Sequence, residues 1–505
     1  MRRIAAAMGA VLVLVALQVV TLQGWELFGR PLWLDEIHTL LVATRHSALQ
    51  SLRDLSRGAD FNPPTLFLLY RLISLPFGGL SEVGMRMVSL ASVAGALAVT
   101  HTILRTRFGS IESAAGTLAV WAHPVVVGAA FEARYYGPFL LLTACFVLLL
   151  ARARAGSSTM PERIGLGVTA VLLCTIHYFG VLVWLVAMAQ VVMVERKVFH
   201  HRWSRYLAAI AGPVALAACV PMYLSQRRVL TVPTWIPDAT VGDVLFLLAY
   251  FFATPALILA GLMLAARRVK SSREPRVSAQ PSADAATQVG PLLLIGQALV
   301  PLALATFSLL VQPATQPRYW IAGALAVGAA VAYTAARVGR PSALLLAGIG
   351  VVVSWLLVKD ESTAALRYEQ LVRTDLAAVY SVADSGGPLV ARRRHSLYPL
   401  IVTRRELSDR LMLLGPAEPT ARVGPAADAA SLAARRFALV EWDVAKAHNR
   451  IYGIPTLIER AAVERQPTFY LLEPFDALSP SVGEFPGRNI ERLTPRLYRL
   501  TIAER

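Results

Sequence analysis

Successive apolar runs, each long enough to cross a bilayer and separated by short polar stretches, constrain this chain more than any other feature. The first, Ile4 to Leu27, follows Arg2 and Arg3 and holds roughly 20 apolar residues, enough to span a hydrocarbon core of ~30 Å. A secretory signal has a shorter apolar region of about 7–15 residues and a small-x-small cleavage site, which QVVTLQGWELF lacks. The segment reads as an uncleaved anchor. Further runs centre near Ser92, Val120, Thr143, Val171, Met188, Ala215, Ala256, Leu302, Gly328 and Val351, predicting about eleven spans. Composition agrees: 56% of the 505 residues are hydrophobic and 16% charged, against about 45–50% and about 25% in soluble proteins. Disorder and a nucleic-acid module are thereby set aside.

One apolar piece, PPTLFLLYRLISLPF from Pro63 to Phe77, contains Arg71 and is about 13–15 residues long, which suits an interfacial helix better than a span. The net charge of +17 decides how to count it. If this piece does not cross, Arg105 and Arg107, Arg152, Arg154 and Arg163, Arg196, Lys197, Arg202 and Arg205 all fall on the cytoplasmic side with the N-terminus. Arg267, Arg268, Lys270, Arg273, Arg276, Arg337 and Arg340 join them there. If it did cross, every cluster would face outward. Orientation therefore accounts for much of the basic excess without nucleic acid as a partner. The outer face then carries the loop from Gly29 to Arg86, the turns at Glu132 to Tyr136, His177 and Arg318, and everything after Lys359.

Cys145, Cys174 and Cys219 all lie inside apolar runs, so neither a disulfide framework nor a zinc site is expected. Val269 to Gln288, rich in Ser, Ala, Pro and Gln, reads as a flexible cytoplasmic linker. The chain divides into a transmembrane domain, residues 1–358, and an extracytoplasmic domain, residues 359–505, long enough to fold as one unit. In the second domain GPLVA, RFALVEW, TFYLLEPF and RLYRLTI predict strands, while ESTAALRYEQLVRTDLAAVYSVAD and HSLYPLIVTRRELSDRLMLL predict helices. The expected fold class is a polytopic α-helical membrane protein with a C-terminal α/β or α+β domain.

Chemistry is expected where polar residues collect at the outer span boundaries. In WLDEIHTLL, Asp35 and Glu36 could simply complement a helix dipole. A carboxylate at a membrane boundary could equally serve as a general base, because partial desolvation brings its pKa toward operating pH. Asp35 and His38, three apart on one helix face, could hold a divalent metal ion. In DFNPPTLFLLYRL, Asp60 and Asn62 precede a double proline that opens the interfacial helix. Arg86, Arg134 and Arg318 each stand at the outer start of a span. Each could snorkel to headgroups, or the three could converge on an anion, since the guanidinium fork matches phosphate oxygens. Tyr135, Tyr136 and Tyr319 beside them, and His177 with Tyr178 in an outer turn, fit an aromatic belt or a sugar ring.

Taken in order, WLDEIHTLL, NPPTLFLLYRL, EVGMRMVSLASVAG, FEARYYGPFLLL, IHYFGVLVW and QPRYWIAG resemble the framework of the GT-C membrane glycosyltransferases over roughly residues 1 to 358. The similarity is to the protein O-mannosyltransferase and lipid A aminoarabinose transferase branch. That resemblance implies transfer of a mannose- or arabinose-type sugar from a polyprenyl-phosphate carrier to a glycan, lipid or protein acceptor in the cell envelope. It places the enzyme in a bacterial inner membrane with its active site on the outer face. By the same resemblance Asp35 matches the catalytic base with Glu36 beside it, Arg86 matches the arginine after the interfacial helix, and Glu132, Arg134 and Tyr135 match the second outer loop. Relatives often carry His or Lys before the double proline, where this chain has Asn62. A base plus a cationic cradle for a departing phosphate suffices for a single inverting displacement.

Two other readings compete. A transporter or flippase for lipid-linked sugars also needs many spans, but usually carries ionisable residues near mid-membrane, and here they stand at span ends. A scaffold that only anchors the C-terminal domain would need a single span.

Overall fold

The computed structural model describes residues 2–22, 24–77, 79, 81–155, 158–194, 206–229, 240–249, 251–252, 289–311, 314, 316–382, 388–391, 398–400, 411–414, 446–448, 456–458, 462–463, 465–466, 468–472, 488–493 and 496–502. The expected linker, the strand at RFALVEW and most of the run near Ala256 lie outside these residues.

The chain enters through α1 (Arg2–Thr21), and its first loop folds into four short helices: α2 (Glu26–Gly29), α3 (Leu34–Ala43), α4 (Ala48–Ser56) and α5 (Thr65–Ser74). Local chemistry sets their starts. Trp33 N–H donates to Glu36 Oε2 at 3.2 Å at the head of α3, and Gln50 N–H donates to Ser47 Oγ at 3.1 Å at the head of α4. Ten residues of α5 rise about 15 Å, half a hydrocarbon core, so PPTLFLLYRLISLPF does not cross. The Arg71 guanidinium folds back onto the carbonyls of Arg45 and His46 instead.

The bundle continues with α6 (Glu82–Leu104), α7 (Ser110–Trp121), α8 (Pro124–Ala130), α9 (Tyr136–Ala155), α10 (Met160–Ile176), α11 (Gly180–Val194), α12 (Leu207–Arg227), α13 (Gly290–Leu310), α14 (Pro317–Val338) and α15 (Arg340–Val382). Six of these, α6, α9, α12, α13, α14 and α15, are long and apolar enough to cross a membrane. The run near Val120, expected as one span, is the pair α7 and α8, bent by 72° at a break between them. The break falls at His123–Pro124, where proline removes an N–H and excludes the helical conformation before it.

Small residues permit the closest helix crossings: a Cβ on Gly116 of α7 would stand 2.5 Å from the Gly328 carbonyl oxygen of α14. A buried polar link ties α1 to α15 and α7, with Gln18 Nε2 donating to Ser354 Oγ at 2.8 Å and Trp121 Nε1 donating to Gln18 Oε1 at 3.3 Å.

The boundary expected at 358/359 falls inside α15, a single helix of 43 residues that leaves the bundle and enters the C-terminal unit. There a six-stranded sheet is ordered β3-β2-β1-β4-β6-β5, from β1 (Leu389–Ala391), β2 (Leu411–Leu414), β3 (Thr456–Ile458), β4 (Thr468–Leu472), β5 (Arg488–Arg492) and β6 (Leu497–Ile502). The β3-β2-β1-β4 pairings are parallel, and β6 runs antiparallel to β4 and β5. Strands were expected at β1, β4 and β6. The LMLL end of the segment expected to be helical is β2, between β1 and β3. Side chains alternate as a pleated strand requires. Leu389, Ala391, Tyr470 and Leu472 pack on α15 and on Leu32 and Ile37 of the first loop, while Val390, Phe469 and Leu471 form a separate cluster behind. The sheet is thereby seated on α3, beside Asp35, and an Asp375–Arg496 ion pair fastens its β5–β6 end to α15.

Candidate active site

The first turn of α3 sends Asp35 and Glu36 in different directions. Glu36 is fully buried, and its carboxylate accepts from Arg86 Nε at 3.0 Å, Arg86 Nη2 at 2.6 Å and the Ala133 amide at 2.8 Å. Burial alone would raise its pKa, but the Arg30 and Arg86 guanidiniums and these hydrogen bonds hold it below the usual carboxylate range. Arg86 is equally buried, and its remaining N–H groups donate to the carbonyls of Phe28 at 2.7 Å, Arg30 at 2.6 Å and Pro31 at 3.3 Å. All five donors of the fork are used inside the protein. Arg86 and Glu36, expected at the substrate, are both fully buried and bonded to each other and to backbone, and so clamp the first loop to α6 and to the turn before α9.

Arg134 is also committed. Its Nη1 lies 2.9 Å from the Asp35 carbonyl, 2.8 Å from Thr39 Oγ1 and 3.0 Å from Asp60 Oδ2, with the side chain almost fully buried. It holds the backbone that carries Asp35. Asn62 donates through its backbone N–H and Nδ2 to Asp60 Oδ1, at 3.0 and 2.6 Å, so it completes the Asp60–Arg134 arrangement. The three arginines do not share one open site: Arg86 is fully engaged by internal acceptors, while Arg134 is buried with Nη1 on Asp35, Thr39 and Asp60 and its Nε without a hydrogen-bond partner.

Arg318 remains. It opens α14 and is about a quarter exposed, with Nη2 3.2 Å from Asp35 Oδ2 and Nη1 3.6 Å from Glu132 Oε1. Its guanidinium carbon lies 5.4 Å from the Trp33 ring centre and 5.6 Å from that of Tyr136. Asp35 is a quarter exposed as well. Burial pushes the Glu132 carboxyl up to about 7; Arg318 draws it down while Asp35 and Glu36 push it further up.

A cavity of about 470 Å³ opens here, lined by Trp33, Glu132, Tyr136, Gln316, Arg318 and Glu361 among others. Its size suits a small ligand. Behind it Tyr135 and Tyr319 stack around His177 with ring centres 4.3 and 5.4 Å away, and Tyr135 O–H donates to Tyr136 Oη at 2.9 Å. Burial, then Arg134 and Arg318, hold the His177 imidazole down to about 3, so it packs neutral among the rings.

His38 turns to the C-terminal unit. Its ring centre is 4.7 Å from that of His448 and 6.0 Å from that of Tyr398, and His448 Nε2 donates to the Ala59 carbonyl at 2.7 Å. His38, which the spacing allows to share a divalent ion with Asp35, packs against the Tyr398 and His448 rings, and among the described residues no group of three or more His, Cys, Asp or Glu could hold a metal. Trp33 and Glu361 were not anticipated. Trp33 adjoins the acidic pair, and Glu361 stands just past Lys359 at the end of the last apolar run, a position that signals only a span boundary.

No family model matches the chain, and no curated protein matches it. Two crystal structures of ArnT from Cupriavidus metallidurans do resemble it. The one bound to undecaprenyl phosphate superposes with a TM-score of 0.56 at 15% identity, and the one in the apo state with 0.57 at 14%. Each match covers 98% of this chain and 98% of the other. Bundle, first-loop helices and C-terminal sheet are therefore compared as one unit, and the chain has the fold of ArnT.

Proposed function

We propose that this protein is an integral-membrane glycosyltransferase that moves a mannose- or arabinose-type sugar from a polyprenyl-phosphate donor to an acceptor hydroxyl on the outer face of the membrane. The observation that carries the reading is the partly exposed Asp35 carboxylate paired with Arg318, whose side chain lines the cavity together with Glu132 and Tyr136. The fold shared with ArnT, which has been solved with undecaprenyl phosphate bound, supports a lipid-phosphate donor.

In the proposed step Asp35 takes the proton from the acceptor hydroxyl as its oxygen attacks the anomeric carbon. The bond from that carbon to the phosphate oxygen breaks, and its electron pair leaves with the phosphate. Arg318 compensates the charge that develops there. A single displacement inverts the anomeric centre. The lipid tail stays in the bilayer, which agrees with a chain in which no nucleotide-sugar motif is found.

The test is reconstitution of the full chain in lipid with radiolabelled polyprenyl-phosphate sugars and crude envelope as acceptor. Transfer with inverted anomeric configuration supports the reading. A folded protein that transfers from no donor overturns it in favour of a carrier of lipid-linked sugars.

A further inference from the structure

One wall of the cavity carries a carboxylate that the proposed step does not use. Glu361 of α15 lines the same space as Trp33, Tyr136 and Arg318. Among the described residues its carboxylate has no hydrogen-bond or ion-pair partner. The cation close enough to act on it, Arg30, is already directed to Glu36 Oε1 at 3.7 Å and to the Phe131 carbonyl at 3.4 Å. Across the cavity wall, α8 presents Gly128, where a Cβ would stand 3.3 Å from Glu361 Oε1. The missing side chain leaves the carboxylate its room.

The lining thus holds two carboxylates, Glu132 and Glu361, against one guanidinium, which Asp35 shares. A second carboxylate repels a phosphate, so the Glu361 wall suits the part of a donor that bears no negative charge. A sugar ring fits that description: its O–H or N–H groups donate to carboxylate oxygens, and its C–H face packs on aromatic rings such as Trp33 and Tyr136. A half-buried acceptor such as Glu361 also disfavours analogues that cannot donate to it.

We propose that Glu361 determines donor specificity by accepting hydrogen bonds from hydroxyl or ammonium substituents of the sugar that do not react. The assignment rests on the function proposed above and goes beyond it in naming the group that reads the ring.

The experiment measures steady-state transfer by the full-length wild type, Glu361→Ala, Glu361→Gln and Gly128→Ala. Donors differ only in bearing hydroxyls alone or an amine, and thermal unfolding in detergent serves as the folding control. Glu361→Ala raises donor KM roughly tenfold to a hundredfold, the worth of a hydrogen bond to a charged group, with kcat nearly unchanged. Glu361→Gln recovers part of that loss for the hydroxyl donor, because an amide oxygen still accepts. It recovers none for the amine donor, because it balances no charge. Gly128→Ala displaces the carboxylate and raises KM in the wild-type background but not in Glu361→Ala. An unchanged KM in Glu361→Ala, with the wild type transferring sugar, overturns this assignment alone. A folded wild type that transfers nothing overturns the proposed function and this assignment with it.

Discussion

Replacing Arg86 with methionine removes the fork that neutralises Glu36 while filling much of the same space. The carboxylate is left fully buried with the Ala133 and Trp33 amides at 2.8 and 3.2 Å, and the Arg30 guanidinium 3.7 Å away, and three carbonyls lose their donor. Breaking a buried ion pair from one side costs about 3–5 kcal/mol, because the remaining charge is uncompensated. Arg86→Lys keeps the charge but offers three donors in place of five, so about half of that loss is expected. The double variant Glu36→Leu/Arg86→Met leaves no orphan charge, and its cost falls below the sum of the singles by more than about 1 kcal/mol. The assay is the apparent melting temperature and unfolding half-life in detergent, with donor affinity measured on the same samples. Additive losses would refute the clamp. So would an Arg86→Lys protein of unchanged stability that no longer binds donor, since Arg86 would then be a phosphate ligand. Because the guanidiniums hold Glu36 below its unfolded value, its contribution is complete above the ordinary carboxylate range and is lost only as pH falls through the lowered one.

Arg318→Ala should weaken donor binding by at least about tenfold, the loss of a charge-assisted contact, read from binding isotherms. Glu132 titrates near 7, and its ionised form opposes an anion beside Arg318. Donor affinity should therefore weaken as pH rises from about 6 to 8 in the wild type and stay flat in Glu132→Gln; a flat wild-type profile refutes this. His177 is buried neutral with its pKa at about 3, so the unfolded chain takes up the proton first. Its contribution is complete above about 6.5 and declines as pH falls toward about 3, a slope that His177→Asn should reduce in acid unfolding curves. Gly116→Leu should destabilise the α7–α14 crossing by several kcal/mol, since even a Cβ meets the Gly328 carbonyl oxygen at 2.5 Å. Melting unchanged from wild type would show that the crossing is looser than that.

Among the described residues, six of the about eleven expected spans are helices long and apolar enough to cross, legible because hydrocarbon thickness sets a length that runs such as those around Ser92 and Thr143 satisfy; Arg71 and the shortness of its run marked α5 as too short to cross. The roles of the arginines were not legible. In sequence, an arginine at a span end looks the same whether it meets a lipid phosphate or folds back, as Arg86 does, onto a carboxylate 50 positions away. Arg134 and Asn62 likewise meet on Asp60, a pairing decided by how the turn before α9 packs on α3. Local spacing put Asp35 and His38 on one face, but the C-terminal unit draws His38 toward Tyr398 and His448. LMLL was taken for helix because four apolar residues fit either period, and its neighbours β1 and β3 decide for strand. The break in the run near Val120 had a visible signal, Pro124, outweighed by the length of the apolar stretch around it.

The central claim is that Asp35 is the base at a site whose cation is Arg318. The most direct measurement is single-turnover transfer by wild type and Asp35→Asn, with donor binding measured on both. The account predicts that the variant binds donor as the wild type does or more tightly, since a competing negative charge is gone, and that transfer falls by at least about a hundredfold. Transfer at the wild-type rate by Asp35→Asn would contradict it.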